Sequence, residues 1–155
     1  MVQIATYFRQ GEVFVPIDAF VGPIPDEDYI EGAMEFSMGG RSMLTRQEWD
    51  YIDQLWAYLV GGVADLQRGE TFQTFFPDQP IELSITPDGV GGHATMRVVI
   101  GGDVREASVE LAVLVAEVLK EARHFFERIQ KVLPREAYQQ TLQEISTLER
   151  MQGSA

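Results

Sequence analysis

Apolar and polar positions alternate with a period of two over the first 44 residues and again over 71–100, and switch to a helical period over 45–67, 106–133 and 134–151. A strand turns successive side chains to opposite faces, whereas a helix returns to the same face every three or four residues, so the period alone separates the two. Val2 to Arg9 and Glu12 to Val21 read as strands around a Gln10-Gly11 turn. The second contains Pro16, which has no N–H to give to a ladder and so marks an edge strand or a bulge. Gly22 to Asp28, with two prolines and three consecutive acids, suits neither helix nor sheet. From Tyr29 to Met38 the alternation resumes, with Ile30, Met34, Phe36 and Met38 on one face and Glu31, Glu35 and Ser37 on the other. Gly39-Gly40 closes a hairpin onto a short strand, Arg41 to Leu44, because such turns need positive φ angles.

Thr45 to Glu48 has the composition of a capping box, with Leu44 placed to staple against Trp49. The spacing of Trp49, Ile52, Trp56, Leu59, Val63 and Leu66 predicts one apolar helix face over 45–67, opposite a small or acidic stripe of Asp50, Asp53, Ala57, Gly61, Ala64 and Asp65. Gly61-Gly62 either breaks this helix or lets another backbone pack against it, and Gly69 is placed to cap its end. Strands follow at Thr71 to Phe76, Ile81 to Thr86 and Ala94 to Ile100, with Gly101-Gly102-Asp103 ending the sheet. Leu111, Val115, Val118, Ala122, Phe125, Ile129 and Val132 form the face of a long helix over 106–133. Its first half is apolar nearly all round and its second half has a polar face, so it is expected to start deep and emerge towards solvent. Pro134 opens a terminal helix, 134–151, with the thin stripe Tyr138, Leu142, Ile145 and Leu148, and 153–155 form a flexible tail. The fold class is therefore α+β. A single domain, 1–152, is expected, with one antiparallel sheet of about six to seven strands on two main helices plus a C-terminal helix.

Charge narrows the possible partners. Twelve Lys and Arg against 24 Asp and Glu leave a net charge of −12, which repels phosphate backbones and anionic headgroups. Nucleic acid and membrane are thus excluded as expected partners, and a basic protein, a cation or self-association remain. The absence of cysteine removes disulfides, thiolate nucleophiles and cysteine metal sites. The N-terminus has no basic segment leading into an apolar run, and no 18-residue apolar window occurs, which places the expected site of action in the cytoplasm.

Candidate chemistry is sparse. His93 and His124 have no neighbours at metal-ligand spacing and read as surface residues; no metal and no cofactor are expected. None of the glycine-rich stretches has a phosphate-binding spacing. Asp26, Glu27, Asp28 and Glu31 make an acidic loop without the order of a calcium-binding loop. Asp50 and Asp53, one turn apart on the weak helix face, would do acid–base work only if sheltered from water. Tyr51 and Tyr58 point about 100° or more away from the core stripe, where they can anchor a partner.

The stretch Ile81 to Phe126, two alternating strands, a glycine-containing turn and an apolar helix, resembles the layout of small acidic immunity-type proteins of bacterial polymorphic toxin systems. It covers under a third of the chain and contains no diagnostic motif. The resemblance implies a non-enzymatic protein that binds a basic toxin domain through acidic residues, for which this chain offers Asp26 to Glu31. An alternative is a small apolar-ligand binder with a cavity between sheet and long helix, lined by Met34, Met38, Met43 and Met96. A third is an enzyme using carboxylates and tyrosines.

Overall fold

The computed structural model describes residues 1–89 and 91–153. Nine strands and three helices follow in the order β1 (Val2–Gln10), β2 (Val13–Pro16), β3 (Glu31–Met38), β4 (Arg41–Leu44), β5 (Asp50–Tyr51), α1 (Ile52–Gln67), β6 (Phe72–Phe75), β7 (Ile81–Pro87), β8 (His93–Ile100), β9 (Asp103–Glu110), α2 (Leu111–Val132) and α3 (Glu136–Gly153). The α+β class is as expected, but the strands make two antiparallel sheets rather than one: β2-β1-β3-β4 with β5 on β3, and β6-β7-β8-β9. β4 and β9 lie side by side without a ladder between them. The Met43 carbonyl is taken instead by the Arg105 guanidinium of β9, at 3.1 Å.

Alternation does most of the work in both sheets. Val2, Thr6 and Phe8 of β1 face inward with Met34, Phe36 and Met38 of β3. In the second sheet Phe72, Ile85 and Met96 stand in register across β6, β7 and β8. β2 is an edge strand, as its proline requires, but it is shorter than the pattern 12–21 suggests. Its ladder ends at the Tyr7–Pro16 pair, after which the chain turns and Ile17 and Phe20 drop into the core.

Three boundaries differ from expectation for identifiable reasons. The capping box at Thr45 is real, with both its hydrogen bonds formed, but it caps a single 3-10 turn, Arg46–Glu48. α1 starts only at Ile52, because Asp50 and Tyr51 pair with Gly32 and Glu31 of β3. Trp49 and Asp50 therefore precede the helix rather than occupying its two faces. Residues 103–110 are a strand, so the long helix begins at Leu111 rather than at 106, and Gly101-Gly102 is a hairpin turn rather than the end of the sheet. On β9 the inward positions are Arg105, Ala107 and Val109, too weakly apolar to show a period of two. Lastly, α3 runs through Gly153 instead of stopping at 151, with the Gln152 amide donating to the Ala112 carbonyl at 2.8 Å. Of the expected flexible tail, residues 154–155 lie outside the described residues.

α1 stays helical through Gly61-Gly62, so the glycine pair is not a break. A Cβ at Gly62 would stand 2.5 Å from the Phe72 ring, so the close neighbour is an aromatic side chain, not a backbone. α1 and α2 both touch both sheets, and α3 packs on α1 and α2 from the far side. α2 and α3 run antiparallel, Ala112 meeting Gln152 and Arg123 meeting Glu149 at 2.5 Å. The expected course of α2 from deep to exposed is not found: Leu114, Val115, Val118 and Leu119 are buried in its first half, but so are four residues of its second. Ala112, Val113 and Ala116 near its start are exposed, whereas Phe125, Phe126 and Ile129 in its second half are fully buried. No helix among the described residues is long and apolar enough to cross a membrane.

Candidate functional site

The loop from Ile17 to Ile30 joins β2 to β3 and is bound along its length to α2 and the start of α3. The Arg128 guanidinium donates to the Ile17 carbonyl at 2.9 Å and to the Phe20 carbonyl at 2.7 Å. Arg135 donates to the Glu27 carbonyl. Asp26 accepts the Asp28 backbone N–H at 3.0 Å, which turns the chain and presents Asp26, Glu27 and Asp28 to solvent. Ile17, Phe20 and Ile30 anchor the loop: all three are buried, and the Phe20 ring lies 4.7 Å from Phe8, whereas Val21 is exposed.

At the loop's end Glu31 enters β3 opposite Tyr51 of β5. The Tyr51 ring lies 5.2 Å from that of Tyr29, which is 54% exposed. Glu31 also pairs with Arg9 at 3.1 Å. The Arg9 guanidinium lies 3.9 Å above the Trp49 ring, and its buried Nε makes no hydrogen bond. A cleft of about 100 Å³ opens here, lined by Arg9, Ile24, Asp26, Tyr29 and Glu31 among others. The field around the tyrosine pair is negative: partial burial first, then the charges of Asp78, Glu31 and Asp50 and the neighbouring Tyr29, hold the Tyr51 phenol above its ordinary value.

Of the residues singled out in the sequence, Asp26 and Glu31 line this cleft and Tyr51 stands beside Glu31. Glu27 and Asp28 are exposed on the adjoining turn, and Tyr58 does not join the ring pair. It stands seven residues along α1 from Tyr51, roughly 10 Å at the helical rise, and is 40% exposed. Tyr29, Asp78 and Arg9 are the further residues here that were not read from the sequence as site residues, and Trp49, read as part of the core helix face, lies under Arg9 instead. Tyr29 sits beside the acidic run and could have been found there. Asp78 comes from the β6–β7 loop of the other sheet, which only tertiary structure brings near.

The remaining candidates are placed otherwise. Asp50 is not on an exposed helix face. It is 1% exposed, and its carboxylate accepts backbone N–H groups of Tyr51, Asp78 and Gln79 at 2.6–3.2 Å. Asp53 accepts the Tyr138 hydroxyl at 2.9 Å, so the two acids serve separate partners and do not form an acid–base pair. His93 is exposed, its Nδ1 3.0 Å from the Gly91 carbonyl. His124 is more engaged than a surface residue, for both ring nitrogens meet carboxylates. Met34, Met38, Met43 and Met96 are all 2% exposed or less, packed in the core with Trp56 and Phe36. Rings fill the contact of the first sheet with α2, Phe8 lying 5.8 Å from Phe125 and Phe125 5.0 Å from Phe126. The terminal helix spends Tyr138, Ile145 and Leu148 inside the chain, against α1 and α2. Among the described residues no group of three or more His, Asp or Glu side chains is arranged to hold a metal ion. Comparison with protein-family models, with curated proteins and with solved structures finds no match to this chain.

Proposed function

We propose that the chain is a non-enzymatic protein-interaction domain that captures a basic partner on the face formed by Asp26, Glu27, Asp28, Glu31, Tyr29 and Tyr51. The observation that carries this reading is the Tyr29–Tyr51 ring pair, 5.2 Å apart, set in a ring of carboxylates from two sheets. Tyrosine faces attract guanidinium and ammonium groups, by about 0.5–1 kcal/mol each at exposed sites. Surrounding carboxylates add a long-range pull that speeds encounter and rejects acidic competitors. Arg9 on Trp49 and Glu31 is an internal example of the same chemistry, a cation held between an aromatic ring and an acid. With a net charge of −12 the rest of the surface reinforces the preference for cations. A toxin-immunity role, in which the partner is a basic toxin domain, is one form of this function.

Affinity capture from the source cells, followed by titration of the purified partner, tests the reading. The expected partner has a basic isoelectric point and binds one to one, with a Kd that rises steeply between about 50 and 200 mM salt because the contact is charge-driven. Tyr29→Ala and Tyr51→Ala should each weaken binding about tenfold, the range of an aromatic anchor. A partner whose affinity ignores both salt and these substitutions overturns the proposal.

A further inference from the structure

We propose that Asp18, His124 and Glu121 form a pH-sensitive latch that pins the first turn of the β2–β3 loop to α2.

The geometry is that of an imidazolium between two carboxylates. His124 Nε2 lies 2.6 Å from Asp18 Oδ1, and Nδ1 lies 3.1 Å from Glu121 Oε1. A neutral imidazole has one N–H and one lone pair, whereas ionised carboxylates only accept. Both contacts are hydrogen bonds at once only when the ring carries two protons. On deprotonation one nitrogen turns a lone pair towards a carboxylate oxygen, and that contact becomes repulsive.

Which contact breaks follows from what holds each acid. Glu121, its side chain 14% exposed, accepts the Thr6 hydroxyl at 2.7 Å through its other oxygen, and Thr6 Oγ1 in turn accepts the Trp56 indole N–H at 3.3 Å. Thr6 and Trp56 are buried, so Glu121 cannot swing away. Asp18 is 72% exposed on a turn and has no such restraint. The proton therefore governs the Asp18 contact.

The other groups packed around His124 do not reproduce this behaviour. Lys120 lies one turn before it on α2 and Glu127 and Arg128 one turn after; Glu127 pairs with Arg123 at 3.5 Å, and Arg128 holds the Ile17 and Phe20 carbonyls. A guanidinium stays charged throughout the physiological range, so that tie is constant. Tyr7 of β1 lines the same cleft of about 200 Å³, with its hydroxyl given to Glu35, and β2 contributes only Pro16. Burial draws the His124 pKa down, but hydrogen bonds and charge from Asp18 and Glu121 outweigh it and leave the value above 6.5. A basic group whose pKa is raised by folding is stabilised most at low pH. The latch is complete below about pH 6.5, the unfolded value, and is lost as pH rises through the folded one.

Nuclear magnetic resonance on the full chain tests this. His124 ring signals, assigned with a His93→Gln variant, should titrate with a midpoint above 6.5. The Ile17 and Ala19 amides, which donate to the Thr6 and Pro16 carbonyls at 3.2 and 2.9 Å, report the turn. Their hydrogen-exchange protection, corrected for intrinsic rates, should fall about threefold across the same midpoint, the scale of an exposed charged contact. The step should vanish in His124→Gln and in Asp18→Asn. A midpoint at or below the ordinary value, or a step that survives in His124→Gln, overturns the latch. Partner capture and this exchange step are separate readouts, so failure of one leaves the other to stand or fall alone.

Discussion

The Asp50 carboxylate accepts the backbone N–H of Gln79 at 2.8 Å, and through this contact a residue paired with the first sheet holds a loop of the second. The same carboxylate takes the Asp78 N–H at 3.1 and 3.2 Å. A buried ionised acid is tolerated only when donors surround it, and here they come from the loop backbone. Asp50→Ala removes the acceptor that these donors meet at a position 1% exposed. The expected loss is about 3 kcal/mol, from two or more orphaned amides, or a fall in Tm of roughly 6–12 °C for a domain of this size. Asp50→Asn keeps one acceptor and should lose about half as much. Urea unfolding of the two variants checks the order, and an Asp50→Ala protein as stable as the parent would remove the carboxylate from this role.

Adjacent glycines of α1 should respond to alanine with opposite signs. A Cβ at Gly61 meets nothing within 4 Å, so Gly61→Ala gains helix propensity and stabilises by about 0.5–1 kcal/mol. At Gly62 the added methyl would fall 2.5–2.7 Å from three carbons of the Phe72 ring. Overpacking of this kind costs about 1–3 kcal/mol and outweighs the propensity gain. Thermal unfolding of the two single variants decides it. In the Gly62→Ala background, Phe72→Leu should cost less than in the parent, a coupling that a double-mutant cycle measures.

What the sequence made legible was wherever burial has a period. The inward faces of β1, β3, β7 and β8, the core stripe of α1 from Ile52 to Leu66 and the α2 face from Val115 to Ile129 all follow from spacing. What escaped was decided by pairing between distant segments. Residues 103–110 have Arg105 and Ala107 at inward positions, so no apolar alternation announces a strand, and the helix that follows lends its pattern backwards. Asp50 looks like a helix-surface acid until β3 claims it and the β6–β7 loop covers it. The acidic half of the candidate face was visible as Asp26 to Glu31 in a loop. Its aromatic half needs Tyr29 and Tyr51 to meet across a strand pairing that no local signal encodes.

Arg105 shows the energetic side of the same point. Its guanidinium donates to Glu48 Oε1 at 2.6 Å and to the Met43 carbonyl, and the Glu48 side chain is 6% exposed. Thr45 supplies Glu48 with a backbone N–H at 2.9 Å, but no second cation is paired with it among the described residues. Arg105→Met should therefore destabilise by about 2–3 kcal/mol, below the full cost of stranding a buried charge because the arginine is partly exposed. Adding Glu48→Gln should recover part of the loss by removing the orphaned charge. If the double variant is less stable than Arg105→Met alone, the pairing does not carry the energy.

Alkaline pH should expose the contact between Tyr138 and Asp53. The Tyr138 hydroxyl donates to Asp53 at 2.9 Å. Burial first, then the charge and hydrogen bond of Asp53, push its ionisation far above the ordinary tyrosine range, with Arg135 opposing. In the unfolded chain the same phenol ionises near pH 10, so ionisation favours the unfolded state. The stability this residue contributes is whole below about pH 10 and declines as pH climbs towards the folded value. Tyr7, hydrogen-bonded to Glu35, is shifted in the same direction. Absorbance at about 295 nm should therefore show a late tyrosine step that coincides with loss of far-ultraviolet dichroism, because Tyr138 cannot ionise until the fold opens. Tyr138→Phe should lower stability at neutral pH by about 1 kcal/mol through the lost hydrogen bond, yet flatten the decline above pH 10. A late step that precedes unfolding, or a decline equally steep in the variant, would mean that Asp53 does not hold this phenol neutral.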